Sequence, residues 1–269
     1  MNILQTELKH TKTLDKNDDP IIDVSHLRLS FGNEEVLNDL SMQLFNGENL
    51  VVLGKSGSGK SVLIKCIVRL LKSDSGTIEI FGNNINNLDR SGLGDLRKKI
   101  GFLFQSGAIY DSMTVKENLE FPLRRINRDL SQKEIDLKIN EALENVGLAD
   151  AINKMPSQLS GGMRKRISLA RTIVVAPMIM LYDEPTTGLD PITSEEISTL
   201  INEVKRKYKT SSIIITHDIE CARATADRIL MIKDGKIYME GDLETFENSD
   251  DLYIKSFFRQ KKSENNMHN

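Results

Sequence analysis

The chain opens its first patterned stretch with a period of two. Residues 22–30 alternate closely enough for a β-strand, and Phe31-Gly32-Asn33 supplies a turn after it. Residues 48–53 form a short apolar run of the kind that a strand buried on both faces shows. After a glycine-rich stretch the period changes, and Val62, Leu63, Cys66, Ile67, Leu70 and Leu71 recur at helical spacing. Residues 77–81 and 100–104 predict further strands. From about 106 to 146 the character is helical. There Ser131-Gln132-Lys133-Glu134 reads as a capping box that opens a helix to about Val146, with Gly147 at its C-terminal end. Buried-strand runs return at 178–182 and 212–216, separated by a helix entered at Thr193-Ser194-Glu195-Glu196. Residues 228–232 and 236–240 flank Asp234-Gly235, a two-residue hairpin signal.

Together these elements predict an α/β fold with a mostly parallel core. An antiparallel strand set lies toward the N-terminal side, and a helical insert interrupts the core near 106–170. Residues 1–20 read as a flexible arm, 21–258 as the folded domain and 259–269 as a flexible, polar tail.

Composition narrows the function classes. The 36 Lys and Arg residues against 39 Asp and Glu leave a formal net charge of −3, without the broad basic footprint of a nucleic-acid binder. The two cysteines, Cys66 and Cys221, exclude a disulfide framework or a Cys-rich zinc site and suit a reducing compartment. Cys66, among Ile64, Ile67 and Leu70, reads as a small buried apolar residue. Residues 1–20 lack the apolar centre of a signal peptide, and no uninterrupted apolar stretch approaches the roughly 18–20 residues that span a bilayer. The expectation is a protein soluble by itself, held at a membrane only through a partner.

The glycine-rich stretch carries the chemistry. Gly54-Lys55-Ser56-Gly57-Ser58-Gly59-Lys60-Ser61 matches G-x-x-x-x-G-K-[ST] between a buried strand and an amphipathic helix, the context of a phosphate-binding loop. Its glycines allow the backbone to curl so that successive N–H groups converge on phosphate oxygens, and the helix dipole adds to them. Lys60 supplies a charge between the β- and γ-phosphates of ATP, and Ser61 a hydroxyl for Mg²⁺. The apolar run Met178-Ile179-Met180-Leu181-Tyr182 ends in Asp183-Glu184. Asp183 is expected beside the phosphate-loop strand, holding Mg²⁺ through water; Glu184 is expected to orient or deprotonate the attacking water.

Leu159-Ser160-Gly161-Gly162-Met163, between these two motifs, resembles the signature of the ABC ATPase family, and the resemblance covers about residues 21–245. Gln105 after an apolar strand is similar to the Q-loop glutamine, Thr187-Gly188-Leu189-Asp190 to the D-loop, and His217 to the switch histidine. Phe31 stands where the family stacks a ring on adenine. The resemblance implies a P-loop NTPase of RecA-like core that hydrolyses ATP with Mg²⁺. It makes Glu184, His217 and Gln105 catalytic, and Ser61, Gln105 and Asp183 the metal site. The nucleotide would be held by Phe31, by the residues from Gly54 to Ser61, by Asp190, and by Ser160, Gly161 and Gly162 of a second copy. Two copies thus form a head-to-tail homodimer around two ATP molecules, which opens when the γ-phosphate is lost.

The family's signature commonly ends in Gln, whereas this chain has Met163. That departure, with Phe104-Gln105-Ser106-Gly107-Ala108-Ile109-Tyr110-Asp111-Ser112-Met113-Thr114-Val115, with Arg164-Lys165-Arg166 after the signature and with Leu181 to Pro191, resembles the ATPases of Mla/MCE-type phospholipid transporters. The implied partners are a second copy, an integral membrane permease and an MCE-domain lipid-binding subunit, with no nucleic acid. The implied place is cytoplasmic, peripheral on the inner or plasma membrane. Two other readings stand beside it: an ABC transporter ATPase for an amino acid, metal or drug, and a soluble ABC ATPase of translation or DNA maintenance. The single cassette and the absence of heptads or basic surplus disfavour the latter.

Overall fold

The computed structural model describes residues 19–258; apart from Asp19 and Pro20, the expected arm and the expected tail lie outside the described residues. The chain begins with β1 (Ile22–Phe31), β2 (Glu34–Leu44), β3 (Asn49–Leu53), α1 (Lys60–Ile67), β4 (Ser75–Ile80) and β5 (Asn83–Asn84). It continues through α2 (Arg90–Lys98), β6 (Ile100–Leu103), α3 (Val115–Ile126), α4 (Gln132–Asn145) and α5 (Gly161–Ile173). Then follow β7 (Ile179–Asp183), α6 (Pro191–Tyr208), β8 (Ser211–Thr216), α7 (Ile219–Thr225), β9 (Arg228–Lys233), β10 (Lys236–Gly241), α8 (Leu243–Glu247) and α9 (Leu252–Phe258).

A six-stranded sheet in the order β10-β9-β3-β8-β7-β6 is parallel from β9 to β6, with β10 antiparallel at its edge. Strands β3, β7 and β8 are buried at every position and serve two cores at once, because successive side chains leave opposite faces. Leu50, Val52, Leu181, Ile213, Ile215 and Leu230 face a core shared with α1 and with an antiparallel sheet of order β2-β1-β4-β5. Val51, Leu53, Met180, Tyr182, Ile214 and Met231 face a second core, filled from α3, α4, α5 and α6. The expected mostly parallel core with an antiparallel set is therefore present, as is the hairpin at Asp234-Gly235.

Three local expectations are corrected, and one strand was not foreseen. The helix after the phosphate loop ends at Ile67 rather than near Leu71. Arg69 takes φ 53, its N–H donates to Cys66 O at 2.8 Å, and the Arg97 guanidinium caps the Val68 and Arg69 carbonyls. Leu70 is left exposed. Residues 106–114 are not helical; the buried Asn118 amide holds this loop by donating to the carbonyls of Tyr110, Met113 and Thr114. Helix α3 starts only after it, at a capping box formed by Thr114 and Glu117. The helix expected to start at Thr193 starts at Pro191, capped by Asp190. Strand β2 was not legible, because bulges against β1 and a positive φ at Asp39 break its alternation. The capping box at Ser131 and Glu134 is formed as expected.

Candidate functional site

The sheet order places β3 between β8 and β9, both of which follow it in sequence, while the chain first runs out to β6 at the far edge. Such a reversal opens a crevice beyond the C-terminal ends of the parallel strands. Gly54 follows β3, Gln105 follows β6, Glu184 follows β7 and His217 follows β8. One pocket of about 650 Å³ brings together Phe31, Lys55, Ser56, Gly57, Gly59, Lys60, Ser61, Gln105, Glu184 and His217.

The loop between β3 and α1 depends on its glycines. Gly59 has φ 100, and a Cβ there would stand 2.7 Å from Val36 O, so only glycine fits. A Cβ on Gly54 would meet Ile232 O at 2.6 Å. No side chain caps α1, so its first N–H groups are left for another acceptor at the pocket floor. The Lys60 ammonium folds back onto the carbonyls of Gly54 and Lys55, at 2.7 and 2.9 Å. Burial pushes its pKa below the ordinary value, against the opposing fields of Glu184 and Asp183. The Ser58 hydroxyl is buried without a partner among the described residues.

Asp183 reaches the loop by a different route from the expected one. Strand β7 does not neighbour β3, since β8 lies between them. The first turn of α1 crosses the gap instead, and Ser61 Oγ donates to Asp183 Oδ1 at 2.7 Å. Glu184 takes φ 51 immediately after β7, a conformation costly for a non-glycine residue. That turn aims its carboxylate into the pocket, where Oε2 accepts from Thr187 Oγ1 at 2.9 Å and lies 2.8 Å from His217 Nδ1. The carboxylate is mostly buried and the imidazole mostly exposed. Asp218, next in sequence, accepts from Thr186 Oγ1 and caps α7. Phe31 is 51% exposed at the pocket rim, which excludes a core role for its ring.

Ser160, Gly161, Gly162 and Asp190 do not line this pocket. Ser160 caps α5, its Oγ accepting from Met163 N at 3.2 Å. Gly162 packs against α6, where a Cβ would meet Thr193 Cγ2 at 2.6 Å. Asp190 caps α6 through Thr193 N and Thr193 Oγ1, and these bonds hold its carboxyl below the usual carboxylate range. Among the pocket-wall residues that sequence reasoning missed are Ser256, Phe257 and Phe258 of α9. No spacing or motif near them signalled that position.

Two oxygen donors adjoining an uncapped helix start fit Mg²⁺, which takes hard oxygen ligands and keeps several waters. Among the described residues no cluster of three or more His, Cys, Asp and Glu could by itself hold a metal ion. Among the described residues, too, no helix is long and apolar enough to cross a membrane.

Comparison with known proteins agrees with this geometry. The family model for ABC transporters matches residues 37–187. The methionine import ATP-binding protein MetN of Brucella abortus is 36% identical over 82% of this chain, which spans 60% of that protein's length. The probable ribonucleotide transport ATP-binding protein mkl of Mycobacterium leprae is 36% identical over 90% of the chain and 69% of its own length. The dimeric cassette MJ0796, in a post-hydrolysis state bound to ADP and Pi, superposes with a TM-score of 0.75 at 33% identity, covering 82% of this chain and 98% of that one. On this evidence the chain belongs to the ABC transporter family, with the fold of its ATP-binding cassettes.

Proposed function

We propose that the chain binds Mg-ATP in the pocket beyond β3 and hydrolyses it, as a homodimer that drives a separate integral membrane permease. The observation that carries this reading is the convergence of Lys60, the Ser61–Asp183 pair and the Glu184–His217 pair on one crevice. Phe31 stacks on the base, while the backbone N–H groups of Gly57 to Ser61 and the Lys60 ammonium take the phosphates. Ser61 and Asp183, with Gln105 at the rim, hold Mg²⁺, which offsets charge on the phosphate oxygens. The Glu184 carboxylate accepts a proton from the attacking water, and His217 holds that carboxylate in place and faces the γ-phosphate. Thr187 fixes the same oxygen from the other side.

Ser160, Gly161, Gly162 and Asp190 lie outside the chain's own pocket, which supports their use by the ATP of a second copy. The dimeric form of the similar cassette supports the same arrangement. The protein would then work on the cytoplasmic face of the inner or plasma membrane, held there by its permease. For the cargo we favour phospholipid or another lipid, with an MCE-domain subunit in the complex, on the resemblance carried by Gln105 to Val115 and by Met163. A non-lipid cargo is the second reading, favoured by the names of the methionine and ribonucleotide relatives.

Glu184→Gln tests both levels. It should keep ATP binding, lower phosphate release at least about a hundredfold, and trap the closed dimer. Undiminished release refutes the assignment of the base. Purified from native membranes in its trapped complex, the same variant should carry a membrane subunit with bound phospholipid. A complex holding an amino acid or nucleotide in place of lipid rejects the lipid cargo.

A further inference from the structure

We propose that Lys165 of α5 is a positioning residue for hydrolysis, pinning the Gln105 loop and the Glu184 turn to the helix that begins at Ser160. Its ammonium donates to Gln105 O at 2.5 Å and reaches Glu184 O at 3.5 Å. The two carbonyls belong to segments 79 positions apart in the sequence, after β6 and after β7, and Lys165 is bonded to both.

The placement is costly by ordinary rules. Lys165 is only 8% exposed, and a buried ammonium gives up its hydration. It also stands near the N-terminal, positive end of α5, where a cation opposes the helix dipole and the first turn carries no acidic residue. Burial accordingly lowers its pKa, while Asp183 and Glu184 act in the other direction. A buried cation is tolerated where acceptors are fixed to receive it, and here both acceptors are main-chain oxygens of the pocket wall.

The Glu184 turn explains what the pin does. At φ 51 this residue is held out of the common backbone regions, and its conformation persists only if both sides of it are anchored. On one side Glu184 N donates to Ile215 O at 2.9 Å. On the other, its carbonyl accepts from Thr187 N at 3.3 Å and faces the Lys165 ammonium. Removing the ammonium leaves Glu184 O with Thr187 N alone and takes the ammonium from Gln105 O, so the carboxylate and the Gln105 amide lose a common reference point. Because Ser160 caps the same helix five residues earlier, any displacement of α5 is passed through Lys165 to both. Catalysis is sensitive to such displacement: a misplacement near 1 Å costs on the order of a hundredfold.

The inference rests on the ATPase reading above, and the test separates the two. Steady-state ATP hydrolysis and binding of a fluorescent ATP analogue are measured for the full chain and for Lys165→Met, Lys165→Gln and Glu184→Gln. Lys165→Met should lower kcat about tenfold or more, with KM and analogue affinity within about twofold, since Lys165 does not line the pocket. Lys165→Gln keeps an N–H donor on a shorter arm and should fall between, about threefold below the wild type. Wild-type kcat in Lys165→Met overturns the proposal; so does a loss of kcat and affinity together that Gln does not recover, which marks a merely structural lysine. If the Met variant fails to fold, Lys165→Gln decides alone, and a kcat equal to wild type overturns the proposal. Full activity in Glu184→Gln would instead sink the assignment of the base, and absence of ATP hydrolysis in the wild-type chain would sink the ATPase reading itself.

Discussion

The chain begins two helices at glycine-containing turns, and it begins them in opposite ways. At α1 the residue before the helix is Gly59, left-handed at φ 100, and no side chain bonds back to the first turn. At α5 the residue before the helix is Ser160 in an extended conformation, and its hydroxyl already accepts from the third N–H. The α1 start lies inside the pocket against the Gln105, Glu184 and His217 segments, while the α5 start lies outside it. The first turn thus leaves all its leading N–H groups for an anion, whereas in the second Ser160 already takes the third. The lesson is that the two anion sites the family resemblance puts in one chain are not equivalent. The phosphate loop depends on a ligand to finish its hydrogen bonding, whereas the signature turn is preformed and has only to be brought to its target.

Glycine substitutions offer the strongest way to break this contrast. Gly59→Ala forces a Cβ to within 2.7 Å of Val36 O at a backbone angle that L residues rarely adopt. It should cost about 1–3 kcal/mol of stability and abolish measurable ATP affinity, as the loop can no longer curl. Gly161→Ala meets nothing within 4 Å at an ordinary φ, and should leave stability within about 0.5 kcal/mol. Denaturant titration of the pair decides it. Equal losses at the two positions would show that α5 is as dependent on its glycine as α1.

The cap of α5 gives the next effect. Ser160→Ala removes the hydroxyl that accepts from Met163 N and should lower stability by about 1 kcal/mol. ATP-analogue affinity of the single chain should not change, because Ser160 is no part of the pocket. A weakened affinity in isothermal titration of the monomer would place the signature turn in its own chain's site.

The difference between these regions also marks what could be read before the fold was known. The phosphate loop is a contiguous run of eight residues between a strand and a helix, so its chemistry is local and its pattern complete. Asp183 and Glu184 were legible because they close a continuous apolar run, and His217 only through the family resemblance. Contacts made across the fold were not legible. The route from Ser61 to Asp183 depends on β8 lying between their strands, which no spacing reveals. Asn118 looks like an ordinary helical polar residue, yet its buried amide replaces a helix with a loop at 106–114. Lys165 reads as one of three basic residues on a solvated helix start, and only the packing of α5 buries it. Strand β2 hid behind bulges, which spoil the alternation on which strand reading relies.

Met163 gives the smallest expected effect and the finest test of how complete the α5 turn is by itself. Its backbone N–H makes the bond to Ser160 Oγ, so the cap does not depend on its side chain. That side chain packs, half-buried, against the core shared with α5 and α6. Met163→Gln keeps the length and most of the apolar stem while placing an amide at the solvent edge. The change should alter stability by less than about 1 kcal/mol, with phosphate release staying within about twofold. A stable variant whose hydrolysis nonetheless changed tenfold would mean that the side chain at 163, and not the main chain and Ser160, governs what this turn does to ATP.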